Sequence, residues 1–468
     1  MRVRSSVPPA LASPHTCLSE AWTSASSRFC WDIQVSVPRK SIPISVNHSA
    51  RTSGKSSAKP PTVSSREGGP TRVKPSICPA NTEQEAPQRK VELADVVRRF
   101  GREYQSQDGH LVLPSHKRAL ADIAACCTKE LGGRLYQCDD CAEPFWVFHC
   151  CRNRACPKCH GKQTEQWLTK RQAELLPCDY YHAIATVPSE LRGVFKRHQK
   201  LMYGLLMRVS AEAVQELCAV KRHLGALPGI LSVLHTWNGE LLFHCHVHML
   251  ITGGGVSSDG QHWQPGRGKF LVPVKVLSRK IAAKFRDALR KGQPELFATI
   301  PAAAWRRQWV SFCKHYGRGN DAVLNYLSRY VFRTAISNAR ILSMDDTHVT
   351  FRWKDRDNDT WRIERIPGVE FLRRFLQHVL PRGFHKVRYY GLWHHSKRDL
   401  ASRAWLLLIL QNPTDTSVPM TIADLLDRLA EDENRKESHD AELTTACCPR
   451  CGSARTTLLE VLPRSGIT

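Results

Sequence analysis

Apolar side chains recur along this chain in a pattern that changes near Val91. Residues 1–90 mix Ser, Pro, Thr and Arg without sustained period, as in RTSGKSSAKPPTVSSREGGP. Such a segment buries too little apolar surface to offset its chain entropy, so it is expected to be disordered. Its basic residues either add non-specific affinity for a polyanion or belong to a dispensable extension. From Val91, VELADVVRRFGREY and LPSHKRALADIAACC carry apolar residues at helical spacing. Past a cysteine-rich stretch, GKQTEQWLTKRQAELL predicts a helix stopped by Pro177. YYHAIATV predicts a strand ending before Pro188, and a helical stretch covers roughly Leu191 to Val220. ILSVLHTW and LLFHCHVHMLITGGG read as two strands around an Asn238-Gly239 turn signal, hence a hairpin. A helix over KVLSRKIAAKFRDALRKG follows, then one over DAVLNYLSRYVFRTAI that extends at least through Tyr330. HVTFRWKD and TWRIERIP predict a second hairpin, and VEFLRRFLQHVL another helix. Beyond about residue 400 the pattern weakens into a charged linker, AEDENRKESHDAE, and a terminal Cys-Pro-Arg-Cys-Gly.

Charge narrows the partners. Lys and Arg number 68 against 43 Asp and Glu, a formal net charge of +25 that favours a polyanion, most often nucleic acid. The densest apolar run, Trp405 to Leu410, falls far short of the roughly 20 residues a membrane-spanning helix needs. The N-terminal MRVRSSVPPALASPHTC has no continuous apolar core of a secretory signal, so a reducing cytosol is the expected compartment. There, clustered cysteines read as metal ligands rather than disulfides. Of 18 cysteines, Cys17, Cys30, Cys78, Cys178, Cys218, Cys245 and Cys313 are scattered singly and read as packing residues or bystanders.

The rest cluster. CDDCAEPFWVFHCCRNRACPKCH holds two CxxC pairs, Cys138 with Cys141 and Cys156 with Cys159, the spacing that lets two turns present four thiolates to one tetrahedral Zn²⁺. Cys151, Cys150, His149 and His160 lie between or beside these pairs. They are either ordinary neighbours, substitutes for one thiolate, or parts of a second site. Arg152, Arg154 and Lys158 sit among the ligands, where fixed cations suit phosphate contact, although arginines on a zinc loop are equally often solvated. Cys448 and Cys451, with Cys447 adjoining, are half a zinc site with no second pair nearby, or else a frayed tail.

Two further constellations carry chemistry. In FHCHVHML the period of two sends His244, His246 and His248 to one face, while Cys245, Val247 and Met249 face the core. Imidazoles alone accept Zn, Ni, Cu, Mn or Fe. Phosphodiester chemistry favours Mg²⁺ or Mn²⁺, which would want an added oxygen ligand. In LNYLSRYVFR, Tyr326 and Tyr330 are four apart, on one helix face, with Arg329 and Arg333 beside them. Such a pair is usually packing. Beside a His-x-His strand and a basic zinc module it reads as a pair of nucleophiles, each able to attack phosphorus, form a phosphotyrosine and free a 3′-hydroxyl.

With these residues in view, the chain resembles the rolling-circle transposases of the insertion sequence 91 family, the two-tyrosine branch of the HUH endonucleases. The resemblance is carried by CRNRACPKCHGKQTEQWLTKRQAELLP, HCHVHMLITGGG, NYLSRYVFRTAISNARIL, VTFRWKD and FLRRFLQHVLPRGFHKVRYYGL, in the family's order, from about Val91 to Arg398. The family's paired histidines fall on His246 and His248, its tyrosines on Tyr326 and Tyr330, and its zinc cysteines on Cys138, Cys141, Cys156 and Cys159, with Cys151 also in the pattern. Ala155 and Cys245 stand where the family usually has His and Pro. The resemblance implies an α+β fold: an HUH endonuclease-like central antiparallel sheet with helices (178–398), preceded by a zinc-binding, DNA-binding module (91–177) and the extension, and followed by a linker and tail (399–468). It implies nicking and transfer of single-stranded DNA at element ends through a 5′-phosphotyrosine, with Mg²⁺ or Mn²⁺ and Zn²⁺ as cofactors. It further implies a host polymerase that extends the freed 3′ end, no membrane partner, and a cytoplasmic, nucleoid-associated location in a bacterium. A plasmid replication initiator and a non-catalytic zinc-dependent DNA-binding protein are the alternatives.

Overall fold

The strands and helices of this chain assemble into four antiparallel sheets with helices, an α+β architecture, in a computed structural model. It describes residues 90–108, 112–159, 176–268, 271–331, 333–355, 358–411 and 446–464. The N-terminal extension, nearly all of the helix expected before Pro177, and the charged linker lie outside the described residues. Apart from Asn358 and Asp359, the described residues fall in one structural unit, Gly68–Asp355 with Thr360–Thr468.

The strands are, in chain order, β1 (Gly133–Cys138), β2 (Pro144–Phe148), β3 (Asp179–Thr186), β4 (Ala226–Leu227), β5 (Gly229–Trp237), β6 (Phe243–Thr252), β7 (Gly254–Ser257), β8 (Trp263–Pro265), β9 (Val310–Arg318), β10 (Ile341–Met344), β11 (His348–Asp355), β12 (Thr360–Pro367), β13 (Val387–Gly391) and β14 (Thr456–Leu462). The largest sheet has the order β13-β5-β6-β3-β9, so β6, the histidine strand, lies at its centre. Both hairpins expected from the sequence form, β5–β6 and β11–β12. The β5–β6 connection is longer than a two-residue turn: the Asn238 side chain accepts from the Glu240 and Leu242 amides, and Leu241 takes φ +61°.

Strand alternation buries both faces of this sheet. Ala183, Ala185, Cys245, Val247, Met249 and Ile251 face the helices Gln199–Ala219 and Val274–Gly292 in one core. Tyr180, Leu231, Val233 and Leu250 face the other way, against Val323, Leu327 and Val331 and against Trp405 and Leu408 of the helix Arg398–Gln411. That last helix is a correction: the segment expected to weaken near residue 400 keeps enough apolar side chains to cover the sheet. The tyrosine-bearing helix also departs from expectation. It is α-helical over Gly319–Tyr326 and widens into a π-turn over Leu327–Val331.

A third core joins the helices Leu93–Asp108 and Pro114–Ala124 to the β10–β12 sheet and the helix Gly368–Leu376. Val96, Val97, Phe100 and Tyr104 form the buried stripe of the first helix, and Phe371, Leu372, Phe375 and Leu376 that of the last. Cys126, Cys156 and Cys159 belong to this same core. The strand β14 pairs with β1 in a small sheet of order β14-β1-β2, so the C-terminal segment lies against the N-terminal cysteine-rich hairpin.

His378 ties the β5–β6 hairpin to this core: Thr236 Oγ1 lies 3.1 Å from its Nδ1, and its Nε2–H donates to the Leu241 carbonyl at 2.9 Å. Burial pushes His378 and His116 down from 6.5 to about 4. With folded values depressed, the unfolded chain takes up protons first as pH falls. The stability these residues contribute is therefore intact above about pH 6.5 and is lost toward pH 4, at up to ~1.4 kcal/mol per pH unit for each. The urea midpoint should fall steadily below pH 6.5, and His378→Gln should make that fall shallower.

Candidate functional site

The sheet face opposite the two long helices carries the histidines. His246 pairs directly across the ladder with His235 of β5, and His248 with Val233, so His235, His246 and His248 share a face. One ligand nitrogen from each lies within 4.8 Å of the other two. His244, expected on the same face, is not a member of this triad. It sits at the hairpin mouth, 5.1 Å ring to ring from His246, with its Nδ1 3.4 Å from Arg192. His235 takes its place because the ladder register aligns it with His246.

Each triad ring has its other nitrogen engaged. His246 Nδ1–H donates to the His244 carbonyl at 2.8 Å, which leaves Nε2 for a metal. His235 Nε2–H donates to the Tyr330 carbonyl at 2.7 Å, which leaves Nδ1. His248 Nδ1 lies 3.0 Å from Nε2 of His182 on β3. A His248 that ligates through Nε2 carries its proton on Nδ1 and donates it to His182. Burial, with Lys314 nearby, pushes His182 down to about 3, so it stays a neutral acceptor. Burial likewise drives His235 well below 6.5. Three imidazoles backed by two carbonyls and a fourth imidazole form a donor set that fits borderline Zn²⁺, or Mn²⁺ with added oxygen ligands, better than oxygen-seeking Mg²⁺.

The π-turn delivers Tyr330 to this centre. Its half-buried ring lies 4.1 Å from the His248 ring and 4.8 Å from that of His182, centroid to centroid. Tyr326 lies 4.9 Å from the Tyr330 ring and is fully buried between His182 and Tyr316. Its hydroxyl finds no hydrogen-bond partner among the described residues, and burial raises its pKa well above 10. The two tyrosines thus adjoin one another, but only Tyr330 is placed directly against the triad.

The cysteines form two clusters rather than the single tetrad expected. Cys138 and Cys141 meet Cys448 and Cys451, with Sγ–Sγ separations of 3.5 Å (Cys138 to Cys451) and 3.6 Å (Cys141 to Cys448). Cys156 and Cys159 meet Cys151 and Cys126 instead, at 3.5 Å for Cys126–Cys159 and Cys151–Cys159. These spacings approach the edge of a tetrahedron with Zn–S bonds of about 2.3 Å, an edge of about 3.8 Å, and none is near a disulfide's ~2.05 Å. The physical reason for the partition is the β14–β1 pairing, which returns the terminal CPxC to Cys138. That leaves Cys156 and Cys159 to be completed locally.

Among the cations singled out from the sequence, Arg154 serves the fold: its guanidinium donates to the carbonyls of Leu380 (3.0 Å), Pro381 (2.7 Å) and Phe384. Lys158 pairs with Glu92 at 2.8 Å. Arg152 and Arg333 are exposed and line a cleft of about 820 Å³ between the cysteine loop and the segment that follows Tyr330. The Arg329 side chain lies outside the described residues. The cleft also holds Arg382 and Lys386. Lys386, pushed by burial to about 7, donates to the carbonyls of Val331 (3.0 Å) and Arg333 (2.8 Å). His182, His235 and Cys126 were missed in sequence, although His235 follows from the β5–β6 register.

Comparison with known proteins identifies the family. A family profile described as "Transposase zinc-binding domain", of the insertion sequence 91 type, matches residues 96–187, and one described as "Putative transposase" matches residues 229–400. The "Putative transposase y4qJ" of Sinorhizobium fredii is 36% identical over 397 residues, which cover 81% of this chain and 96% of that protein. The "Transposase for insertion sequence element IS801" of Pseudomonas savastanoi pv. phaseolicola is 29% identical over 288 residues, 58% of this chain and 68% of that one. No solved structure matches.

Two outcomes are expected of the metal sites. His182→Ala, which removes the acceptor behind His248, should weaken Mn²⁺ binding about 10- to 100-fold by calorimetry, the range for loss of an outer-shell partner. Cys448→Ser with Cys451→Ser should remove one zinc per chain by elemental analysis and release β14 from protection against amide exchange.

Proposed function

This chain belongs to the insertion sequence 91 family of transposases and carries that family's zinc-binding domain, and from that premise we propose that it nicks and transfers single-stranded DNA, with Tyr330 as the first nucleophile. DNA is the partner of a transposase. The observation that carries the finer reading is the placement of Tyr330, 4.1 Å ring to ring from a member of the histidine triad and bonded through its carbonyl to another.

In this mechanism Tyr330 Oη attacks the scissile phosphorus. The new Oη–P bond forms as the O3′–P bond breaks, the phenol proton passes to solvent, and the leaving oxygen gains a proton to become a free 3′-hydroxyl. The result is a 5′-phosphotyrosine that conserves the phosphodiester energy, so rejoining needs no ATP. His235, His246 and His248 would hold a divalent cation, Mn²⁺ being the better match to the donor set, and such a cation polarises the phosphate and neutralises developing charge. Arg152, Arg333 and Arg382 would guide the strand along the cleft between the cysteine loop and the tyrosine segment. The central antiparallel sheet, with paired histidines on its middle strand, supports an HUH-type reading of the fold.

Tyr326 fits a later step. A buried, unpartnered hydroxyl costs about 1–3 kcal/mol, and movement of the π-turn would relieve that cost by bringing Tyr326 forward once Tyr330 is occupied. Extension of the free 3′ end by a host polymerase, and a cytoplasmic site of action on bacterial DNA, belong to the same reading. No described helix is long and apolar enough to cross a membrane.

The test uses a single-stranded oligonucleotide from an element end with Mn²⁺, read on a denaturing gel. Tyr330→Phe should cut the first covalent adduct by at least roughly 10³-fold, the scale of losing a covalent nucleophile. Tyr326→Phe should leave that adduct within a few-fold of wild type and abolish the subsequent strand transfer. An adduct that survives in Tyr330→Phe and vanishes in Tyr326→Phe would reverse the assignment; one that survives in the double variant would end it.

A further inference from the structure

Six sulfurs, rather than four, gather at the cysteine loop. Beyond Cys126, Cys151, Cys156 and Cys159, the Cys127 Sγ lies 3.7 Å from that of Cys126 and 3.7 Å from that of Cys150. A backbone bond of 3.2 Å from the Cys127 N–H to the His149 carbonyl holds the two segments side by side, and Cys127 adopts φ +57°, an uncommon setting for a residue with a side chain.

One four-sulfur group is complete, and two further sulfurs adjoin its Cys126 corner, the start of a second tetrahedron that would share an edge with the first. Cys126 to Cys159, 3.5 Å, is the shared edge. One tetrahedron is closed by Cys151, 3.5 Å from Cys159, and Cys156, 3.8 Å from Cys126. The other would be completed by Cys127 and Cys150, which reach the shared edge through Cys126. These five separations, 3.5 to 3.8 Å, suit thiolates around a zinc-sized ion and lie well outside disulfide length. Charge favours the larger assembly too: one Zn²⁺ with four thiolates and two Zn²⁺ with six carry the same formal charge, so a second ion neutralises the two added thiolates in full.

We propose that this loop is a binuclear thiolate site, in which Cys126 and Cys159 bridge two thiophilic d¹⁰ cations of the Zn²⁺ class and Cys127 and Cys150 are terminal ligands of the second. Each thiol gives up its proton to solvent on ligation, and four metal–sulfur bonds form at the second ion. That ion crosslinks the end of the helix Pro114–Ala124 to the strand exit at His149. It thereby stiffens the loop that presents Arg152 to the basic cleft. The histidine triad takes no part, so this site stands or falls separately from the nicking reaction.

The experiment counts zinc per full-length chain, purified under reducing, zinc-replete conditions, and records X-ray absorption at the zinc edge. Cys127→Ser with Cys150→Ser should carry one zinc fewer than wild type, Cys448→Ser with Cys451→Ser should also carry one fewer, and the four changes together two fewer. The wild type should show metal–metal scattering across sulfur bridges, and the Cys127/Cys150 variant should lose it. An unchanged zinc count in that variant, a wild type without metal–metal scattering, or an intact mass revealing a Cys127–Cys150 disulfide under those conditions would overturn the proposal. Should the variant fail to fold, the wild-type scattering alone decides.

Discussion

The hydrogen bond from His235 Nε2 to the Tyr330 carbonyl couples the two halves of the candidate centre. It sets the tautomer of a triad histidine, and with it the nitrogen that faces a cation. It also anchors the main chain of the residue placed to attack phosphorus. A helix ordinarily uses its carbonyls internally or leaves its last few to solvent or caps. Here the π-turn at Leu327–Val331 puts one of them over β5, where a buried imidazole donates to it. Lys386 secures the three residues that follow through the Val331 and Arg333 carbonyls. A shift of the tyrosine segment therefore disturbs the metal ligands, and a shift of the ligands disturbs the tyrosine.

The architecture around this contact is layered for that purpose. One face of the five-stranded sheet is sealed by two long helices and supplies rigidity. The other is left for histidines and covered by a short, irregular helical segment that carries the tyrosines. Burial keeps His235 neutral and thus fit to ligate, and keeps His182 neutral and fit to accept from His248. The same burial makes Tyr326 a poor nucleophile in this conformation, because its hydroxyl finds no partner among the described residues and its phenolate would be desolvated. Two chemically identical side chains four positions apart are thereby given unequal environments.

The cysteine-rich region follows a different logic, in which ligands distant in the chain are gathered by strand pairing. The terminal Cys448 and Cys451 reach Cys138 and Cys141 because β14 adds to β1. A metal held there would close the chain over some three hundred residues, and its binding energy would count toward folding of both ends. Arg154 shows how a cation on such a loop serves structure first: three carbonyls of the 380–384 turn consume its guanidinium, while its neighbour Arg152 stays exposed beside the basic cleft.

Much of this was legible in the chain because it depends on short-range periodicity. The period of two in FHCHVHML placed His246 and His248 on one face and Cys245, Val247 and Met249 on the other, and the spacing of Tyr326 and Tyr330 made them neighbours. Family-specific motifs pointed to a transposase with a zinc-binding domain. Other features required the folded chain. His235 replaced His244 because ladder register, set by the length of the Asn238–Leu242 loop, chooses which cross-strand residue faces His246. His182 came from a strand paired on the opposite side of β6. The four cysteines that spacing grouped together were divided between two clusters, since a CxxC pair fixes only its own turn and says nothing of which other pair will meet it. Local sequence sets what a turn or strand can present, and long-range pairing decides to whom.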